Sequence, residues 1–549
     1  MNKRFLFLLT VFISFNLFIY VSNAAWFIYF NKTYLYILSG ICVSLQVAYI
    51  FYAKASESRN NLLQSRVKIP IAFSYILLFI SVSLMIFFPV RNLNLGDGIL
   101  LLEHVALEAK MFGYHLTMDE VFEAFVHSIL FAKFPSLFAT PMEVYRIVST
   151  ISGLCAMGIL VYYFRKFKVS FIGYFLVLSC GGIYLFHGYS ENYTMITTGL
   201  WFYILYSVNS IRSNQSRNMQ ALLPICVIAC LLILSHLVSG YLLFSLIFLC
   251  YHFSDEGKFL QNALYSTIFS LLILLPVFGY FTFFSNVRFD FTQTHLTNPK
   301  FYPIAKMISI NHFRDILFCI VGSAFLPFVV LLYLLLFKKE QTIQILKRKE
   351  FQFLIFILIG FLIHGFVHYP QLGFPADWDL LAFFWSPIVF ITVLMLEEFP
   401  KINEARFKGS QNSFPLELIP IFLFAGIIFV LNAVILSKPD EKKMIELRES
   451  LLIIDRFSYS EEATVLGGVK PEFKKFYLKV SFFLFESGIK IKGLNLHSES
   501  KVARLLNENK QFQLELKEHI GNIETKWQKD FYARLTRYHL EYLDITKEK

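Results

Sequence analysis

Hydrophobic residues follow one another in long runs along this chain, with polar clusters only between them. The runs fall at 5–22, 34–53, 69–90, 144–164, 170–187, 193–211, 220–236, 238–252, 264–285, 315–337, 351–368, 380–396 and 416–436. Each is long enough, or nearly so, to cross a hydrocarbon layer as a helix, since about 20 apolar residues suffice. About thirteen spans are therefore predicted, and the division at 235–240 fits either a hairpin or one long bent segment. After the last run the pattern changes. Residues 437–549 mix Glu, Lys, Leu and Gln in helical proportions, with no proline beyond Gly493 and one further glycine, Gly521. The fold class predicted is an all-α polytopic membrane protein, with a transmembrane domain over 1–436 and a helical soluble domain over 437–549.

Composition agrees. The chain is 56% hydrophobic and 16% charged, whereas soluble proteins carry roughly 25% charged residues. All seven cysteines (Cys42, Cys155, Cys180, Cys226, Cys230, Cys250, Cys319) lie in apolar runs, which argues against a disulfide framework or a thiolate metal site. The net charge of +11 reports topology rather than nucleic-acid binding, because the basic residues recur in alternate short loops. With Lys3 and Arg4 inside, the inside loops are 54–68, 165–169, 212–219, 253–263, 338–350 and 397–415, and nearly every one is basic. The soluble domain then lies outside. Residues 1–25 also fit a signal peptide, whose removal would leave the other orientations unchanged. A cytoplasmic (inner) bacterial membrane is the expected location.

The outer segments are acidic and rich in histidine. The first large outer loop, 91–143, holds Asp97, Glu103, His104, Glu108, Asp119, Glu120 and Glu123. Within it Thr117 and Glu120 form a capping-box pattern. It opens a helix with Val121, Phe122, Phe125 and Ile129 along one side and Glu120, Glu123 and His127 elsewhere. Such a helix is expected to lie on the membrane surface, its charges a solvated cap.

Four short segments put reactive residue types at the outer ends of runs. They are Asn94 to Gly98 around Asp97; His187, Tyr189, Glu191 and Tyr193; Ser235 and His236; and His364 with His368, followed by Asp377, Trp378 and Asp379. Each has a plain reading. Charges mark a water interface, Gly-Asp-Gly suits a turn, and a tryptophan anchors a helix end. His364 and His368 share a helix face at i, i+4, a spacing that ligates metal or simply bonds interfacial partners. Their coincidence on one face points to chemistry there. The near absence of charge within the spans argues against a path through the bilayer.

With these residues in view, the chain resembles the GT-C glycosyltransferases, polytopic enzymes that use polyprenyl-phosphate-linked sugars. The resemblance covers about residues 1–436 and rests on Asp97 in Leu95-Gly-Asp-Gly98, the interfacial helix over 117–134, the acidic-aromatic Tyr189-Ser-Glu-Asn-Tyr193 and the late Asp377-Trp-Asp-Leu380. The Asp-Glu pair of the protein O-mannosyltransferase branch does not follow the third span. The Trp-Trp-Asp signature of oligosaccharyltransferases is absent too. The resemblance implies a hexosyl- or pentosyltransferase with a polyprenyl-phosphate sugar donor, membrane lipid around it, and a glycan, lipid or protein acceptor. Asp97 would be the general base. Tyr189, Glu191, His236, Arg288, Arg314, His364, His368, Asp377 and Asp379 would bind substrate, with Lys300 a further cation. A divalent ion is compatible with Glu191, Asp377 and Asp379, but the sequence does not require one. A lipid-linked-saccharide flippase and a non-catalytic scaffold remain as other classes.

Overall fold

A computed structural model of the protein describes residues 70–93, 121–213, 219–255, 257–283, 301–368, 382–404 and 419–441, with some single positions including Gly96, Gly98, Ile99, Leu101 and Leu102. The runs at 5–22 and 34–53, Thr117 to Glu120, and nearly all of 437–549 lie outside the described residues, so the count of thirteen spans and the form of the tail do too. The chain divides into two units, Met1–Gly98 with Gly113–Asp440, and Ile99–Phe112 with Glu441–Lys549. In the second unit Ile99, Leu101, Leu102, Val105 and Ala106 are helical and buried.

The first unit is helical. Its helices are α1 (Ala72–Phe87), α2 (Val121–Lys133), α3 (Pro141–Phe167), α4 (Phe171–Leu178), α5 (Thr194–Arg212), α6 (Met219–Ser235), α7 (Leu243–Phe253) and α8 (Phe259–Phe283). There follow α9 (Ile304–Met307), α10 (Ile310–Phe337), α11 (Lys339–Leu346), α12 (Lys349–Val367), α13 (Trp385–Glu404) and α14 (Ile419–Leu436). Among the described residues, four stretches are long and apolar enough to cross a membrane by length and composition: Pro141–Phe167, Phe259–Tyr280, Ile310–Phe337 and Lys349–Val367. The protein is thus an integral membrane protein. Helix α3 packs along α5, α10 on α13, and α7 on α12. The shared core is aromatic, with Trp201 and Trp385 5.7 Å apart and Phe186 and Phe390 edge-on to Trp201. The buried Trp201 indole N–H donates to Ser386 Oγ at 3.2 Å, so the large ring is buried without an orphaned donor.

Local sequence explains the ends of these helices. Pro141 begins α3, where a missing N–H costs nothing, and Glu143 accepts from the Ala139 and Thr140 backbone N–H groups at 2.6 and 3.4 Å. The division at 235–240 is a hairpin. Helix α6 stops at Ser235, His236 is extended (φ −159°), and a 3-10 turn over Leu237–Leu242 leads into α7. Cys230 of α6 and Cys250 of α7 both contact α8, at Ser270 and Ser266. Two residues on opposite sides of the turn thus meet nearly the same level of one helix.

Two spans that read as continuous are interrupted. The run 170–187 breaks after α4 and resumes as a 3-10 segment, Gly181–Phe186. A Cβ on Gly181 would lie 2.1 Å from the Gly322 carbonyl oxygen, and one on Gly182 would lie 2.3 Å from the Trp385 ring. Opposite them α10 leaves helical geometry at Ala324 (φ −140°). Pro327 explains the kink, because its ring crowds the carbonyl four residues before it. The broken pieces close on each other where Gly181 meets the Gly322 carbonyl, and within α10 the Ser323 hydroxyl donates back to Cys319 O at 2.6 Å, so the interruption is packed.

Candidate functional site

The helix ends fall into two groups that the contacts keep apart. At one end Arg212 pairs with Glu350 at 3.5 Å and Glu398 at 3.1 Å, and Arg348 also pairs with Glu398. The Ser170 backbone N–H and hydroxyl donate to Glu397 at 2.9 and 2.7 Å. Four of the basic loops, after α3, after α5, before α12 and around the end of α13, therefore share one end.

The other end holds the candidate residues. The Leu436 carbonyl that ends α14 accepts from Arg91 and Asn92 N–H at 2.9 and 3.2 Å, and Val90 N–H donates to His187 O at 2.6 Å. The chain leaving α1 is thereby tied to the segment before α5. Gly96 then turns with φ +66°, and a Cβ there would sit 1.8 Å from Glu191 Oε1 and 2.9 Å from the Tyr189 hydroxyl. A Cβ on Gly98 would meet Ser190 O at 3.0 Å. Only glycine allows this conformation and this approach without cost. Two segments about ninety residues apart are thus brought into backbone contact, with Tyr189 and Glu191 buried at 4% and 1%.

From Tyr193 the contacts continue outward. Its ring stacks on His236 with centroids 5.3 Å apart, and both rings meet Phe383, at 5.5 and 6.2 Å. Phe383 also meets His364 at 6.4 Å, and His364 meets Tyr241 at 5.2 Å and His368 at 4.9 Å. His368 pairs as an isolated bridge with Phe301, while His312 Nε2 lies 3.0 Å from Phe366 O. His236 Nδ1 accepts the Val238 N–H at 3.1 Å, which fixes the ring at the hairpin turn.

Helix α2 forms another wall, and here the sequence expectation needs correcting. Glu123 and His127 are not solvated; they are buried at 0% and 1%, while Phe122 is 40% exposed. Glu123 Oε1 accepts from Thr194 Oγ1 at 3.1 Å and Met195 N at 3.4 Å. It thereby caps α5, whose first N–H groups and dipole favour a carboxylate. His127 stacks on Tyr145 at 3.9 Å, with Nδ1 2.7 Å from Glu123 O. Burial pulls its pKa down to about 4. The Tyr145 hydroxyl donates to Asn192 Oδ1 at 2.8 Å. The polar side of α2 therefore braces the residue next to Glu191.

The structure thus brings together Gly96 and Gly98 with Tyr189 and Glu191, and Tyr193 with His236, His364 and His368. Arg314 turns elsewhere, to Asp315 at 3.1 Å and over Phe318. Asp97, Arg288, Lys300, Asp377 and Asp379 lie outside the described residues. Sequence reasoning missed Arg91 and Arg146. Arg146 packs its Cα and Cγ against Gly188 and lies within electrostatic reach of Arg91 and Glu143. Their signal was present, since arginine in an outer loop (Arg91) or at the outer end of a span (Arg146) runs against the usual charge bias. No group of three or more His, Cys, Asp or Glu suited to a metal occurs among the described residues.

No protein-family model matches the chain, and no curated protein matches it. Two solved structures do, both of ArnT from Cupriavidus metallidurans. The apo structure has a TM-score of 0.40 and the structure bound to undecaprenyl phosphate 0.41. Each is 12% identical, over 80% of this chain and 73% of that one. At that distance function does not pass from one chain to the other.

Proposed function

We propose that the protein is a membrane glycosyltransferase of the GT-C kind, moving a sugar from a polyprenyl phosphate to an acceptor hydroxyl on the extracytoplasmic face. The observation that carries this reading is the approach of Gly96 to Glu191 and Tyr189. It sets the Gly-Asp-Gly turn against the acidic-aromatic segment, the two stretches on which the resemblance mainly rests.

In the reaction the acceptor oxygen attacks the anomeric carbon as the bond from that carbon to the phosphate oxygen breaks. The leaving phosphate takes the electron pair, and the acceptor proton passes to a carboxylate. Asp97, between the two glycines, is assigned that base. A single displacement of this kind inverts the anomeric centre. Charge grows on the leaving phosphate, and preformed cations stabilise it; Arg91, Arg146 and the histidine row supply candidates. Glu191 and Tyr189 bind sugar hydroxyls. Exclusion of water by the packed aromatic wall strengthens these interactions.

The test is transfer by purified protein from a polyprenyl-phosphate sugar to acceptors drawn from cell-envelope glycans. Asp97→Asn is expected to lower turnover by about 10²- to 10⁴-fold, the usual contribution of a general base. Wild-type turnover by that variant rejects Asp97 as base.

A further inference from the structure

A cavity of about 620 Å3 lies between α1 and α3, away from the site described above, and is lined by Leu78, Val82, Met157, Gly158, Val161 and Arg165, with Tyr162 beside them. Its walls are apolar along the bilayer direction and cationic at one tip only. Gly158 opens it, because a Cβ built there meets nothing within 4 Å. Arg165 stands in the last turn of α3 beside Lys166 and Lys168, at the end where the basic loops meet.

The arginines of that end differ. Arg212 and Arg348 are neutralised by Glu350 and Glu398. Among the described residues no carboxylate pairs with Arg165, which is exposed. A trough about two helical turns long, with apolar walls and a guanidinium at its end that has no carboxylate partner among the described residues, matches an amphiphile with one negative charge. Water would not fill such a trough, and a zwitterionic lipid would offer the guanidinium only a phosphate already offset by its own headgroup cation.

We propose that this groove is a binding site for an anionic phospholipid of the leaflet on the basic-loop side. One acyl chain lies over Gly158 and the phosphate rests on Arg165. The site is separate from the sugar-transfer reading and does not depend on it.

The test uses the purified full chain in detergent with phosphatidylglycerol or phosphatidylcholine of identical acyl chains, bound lipid being read by native mass spectrometry. The wild-type protein is expected to retain phosphatidylglycerol over phosphatidylcholine. Arg165→Gln should lower phosphatidylglycerol retention about fivefold, the factor one basic residue contributes at an anionic surface, and leave phosphatidylcholine unchanged. Gly158→Leu should lower retention of both lipids. Leucine is also the better helix former, so this variant is expected to fold. Lys339→Gln, an exposed lysine on the same basic side, should change nothing. Equal retention of the two lipids by the wild type overturns the proposal. So does unchanged retention in Arg165→Gln or Gly158→Leu, as expected if residues 34–53 cover the groove. A loss in Lys339→Gln as large as in Arg165→Gln would assign the effect to general surface charge and also overturn it.

Discussion

Gly96 decides more at the candidate site than its size suggests. Its positive φ and the 1.8 Å approach of a virtual Cβ to Glu191 mean that any side chain must displace the carboxylate or the turn carrying Asp97. Gly96→Ala is therefore expected to lower transfer by about 100-fold, the cost of a misplacement of about 1 Å at a reacting centre. Circular dichroism of the detergent-solubilised variant should keep its helical signal. Turnover near wild type would show that the turn and Glu191 do not act together. The sequence made Asp97 and Glu191 legible as acidic residues at outer helix ends, and Gly-Asp-Gly legible as a turn. It could not show that the turn lies on Glu191, because the pairing depends on where α1 and the 3-10 segment Gly181–Phe186 end in space. Arg91 and Arg146 went unread for a different reason. Arg91 stands alone in its loop and Arg146 near the start of α3, and only the tie between Val90 and His187 and the packing on Gly188 place them beside the site.

The helix α2 shows how a correct periodicity can be assigned the wrong surroundings. Apolar and polar sides alternate as expected, but beside a membrane the apolar side can remain exposed while the polar side is buried. The deciding fact is the start of α5, whose unsatisfied N–H groups draw in Glu123 and with it His127. The interruption after α4 was likewise hidden, since an apolar run gives no sign that Gly181 and Gly182 face a backbone carbonyl and an indole. His127 makes the docking of α2 sensitive to pH. Its folded pKa of about 4 lies below the ordinary value of about 6.5. Its contribution is therefore complete above about pH 6.5 and is lost as pH falls toward about 4, at up to about 1.4 kcal/mol per pH unit. Hydrogen exchange of 121–133, taken relative to the intrinsic rate of an unprotected chain at each pH, should rise as pH falls through that window in the wild type. In His127→Phe, which keeps a ring on Tyr145 but cannot take a proton, the rise should vanish; an identical rise in both would place the sensitivity elsewhere.

Across the whole molecule, spacing of apolar runs and alternation of basic loops carried the arrangement, and the contacts agree with the grouping they imply. Loops expected on one side meet through Arg212, Glu350, Arg348, Glu398, Ser170 and Glu397. Segments expected on the other side meet through Arg91, His187, Tyr193, His236 and His364. Both carboxylates of these ion pairs, Glu350 and Glu398, are buried, so desolvation offsets much of the attraction, and Glu398 matters chiefly because losing it would leave two arginines short of a partner. Their larger consequence is register, because like ends are held with like. Which end faces the cytoplasm follows from the charge bias alone, and single cysteines test it. Lys258→Cys and Lys339→Cys lie at the basic end, Leu137→Cys and Lys306→Cys at the other, and all four positions are exposed. In intact cells a membrane-impermeant maleimide should label Leu137→Cys and Lys306→Cys, and should reach Lys258→Cys and Lys339→Cys only after permeabilisation. The reverse pattern would invert the protein and put Asp97 on the cytoplasmic side, where the proposed extracytoplasmic transfer could not occur; a mixed pattern within either pair would break the two-ended arrangement itself.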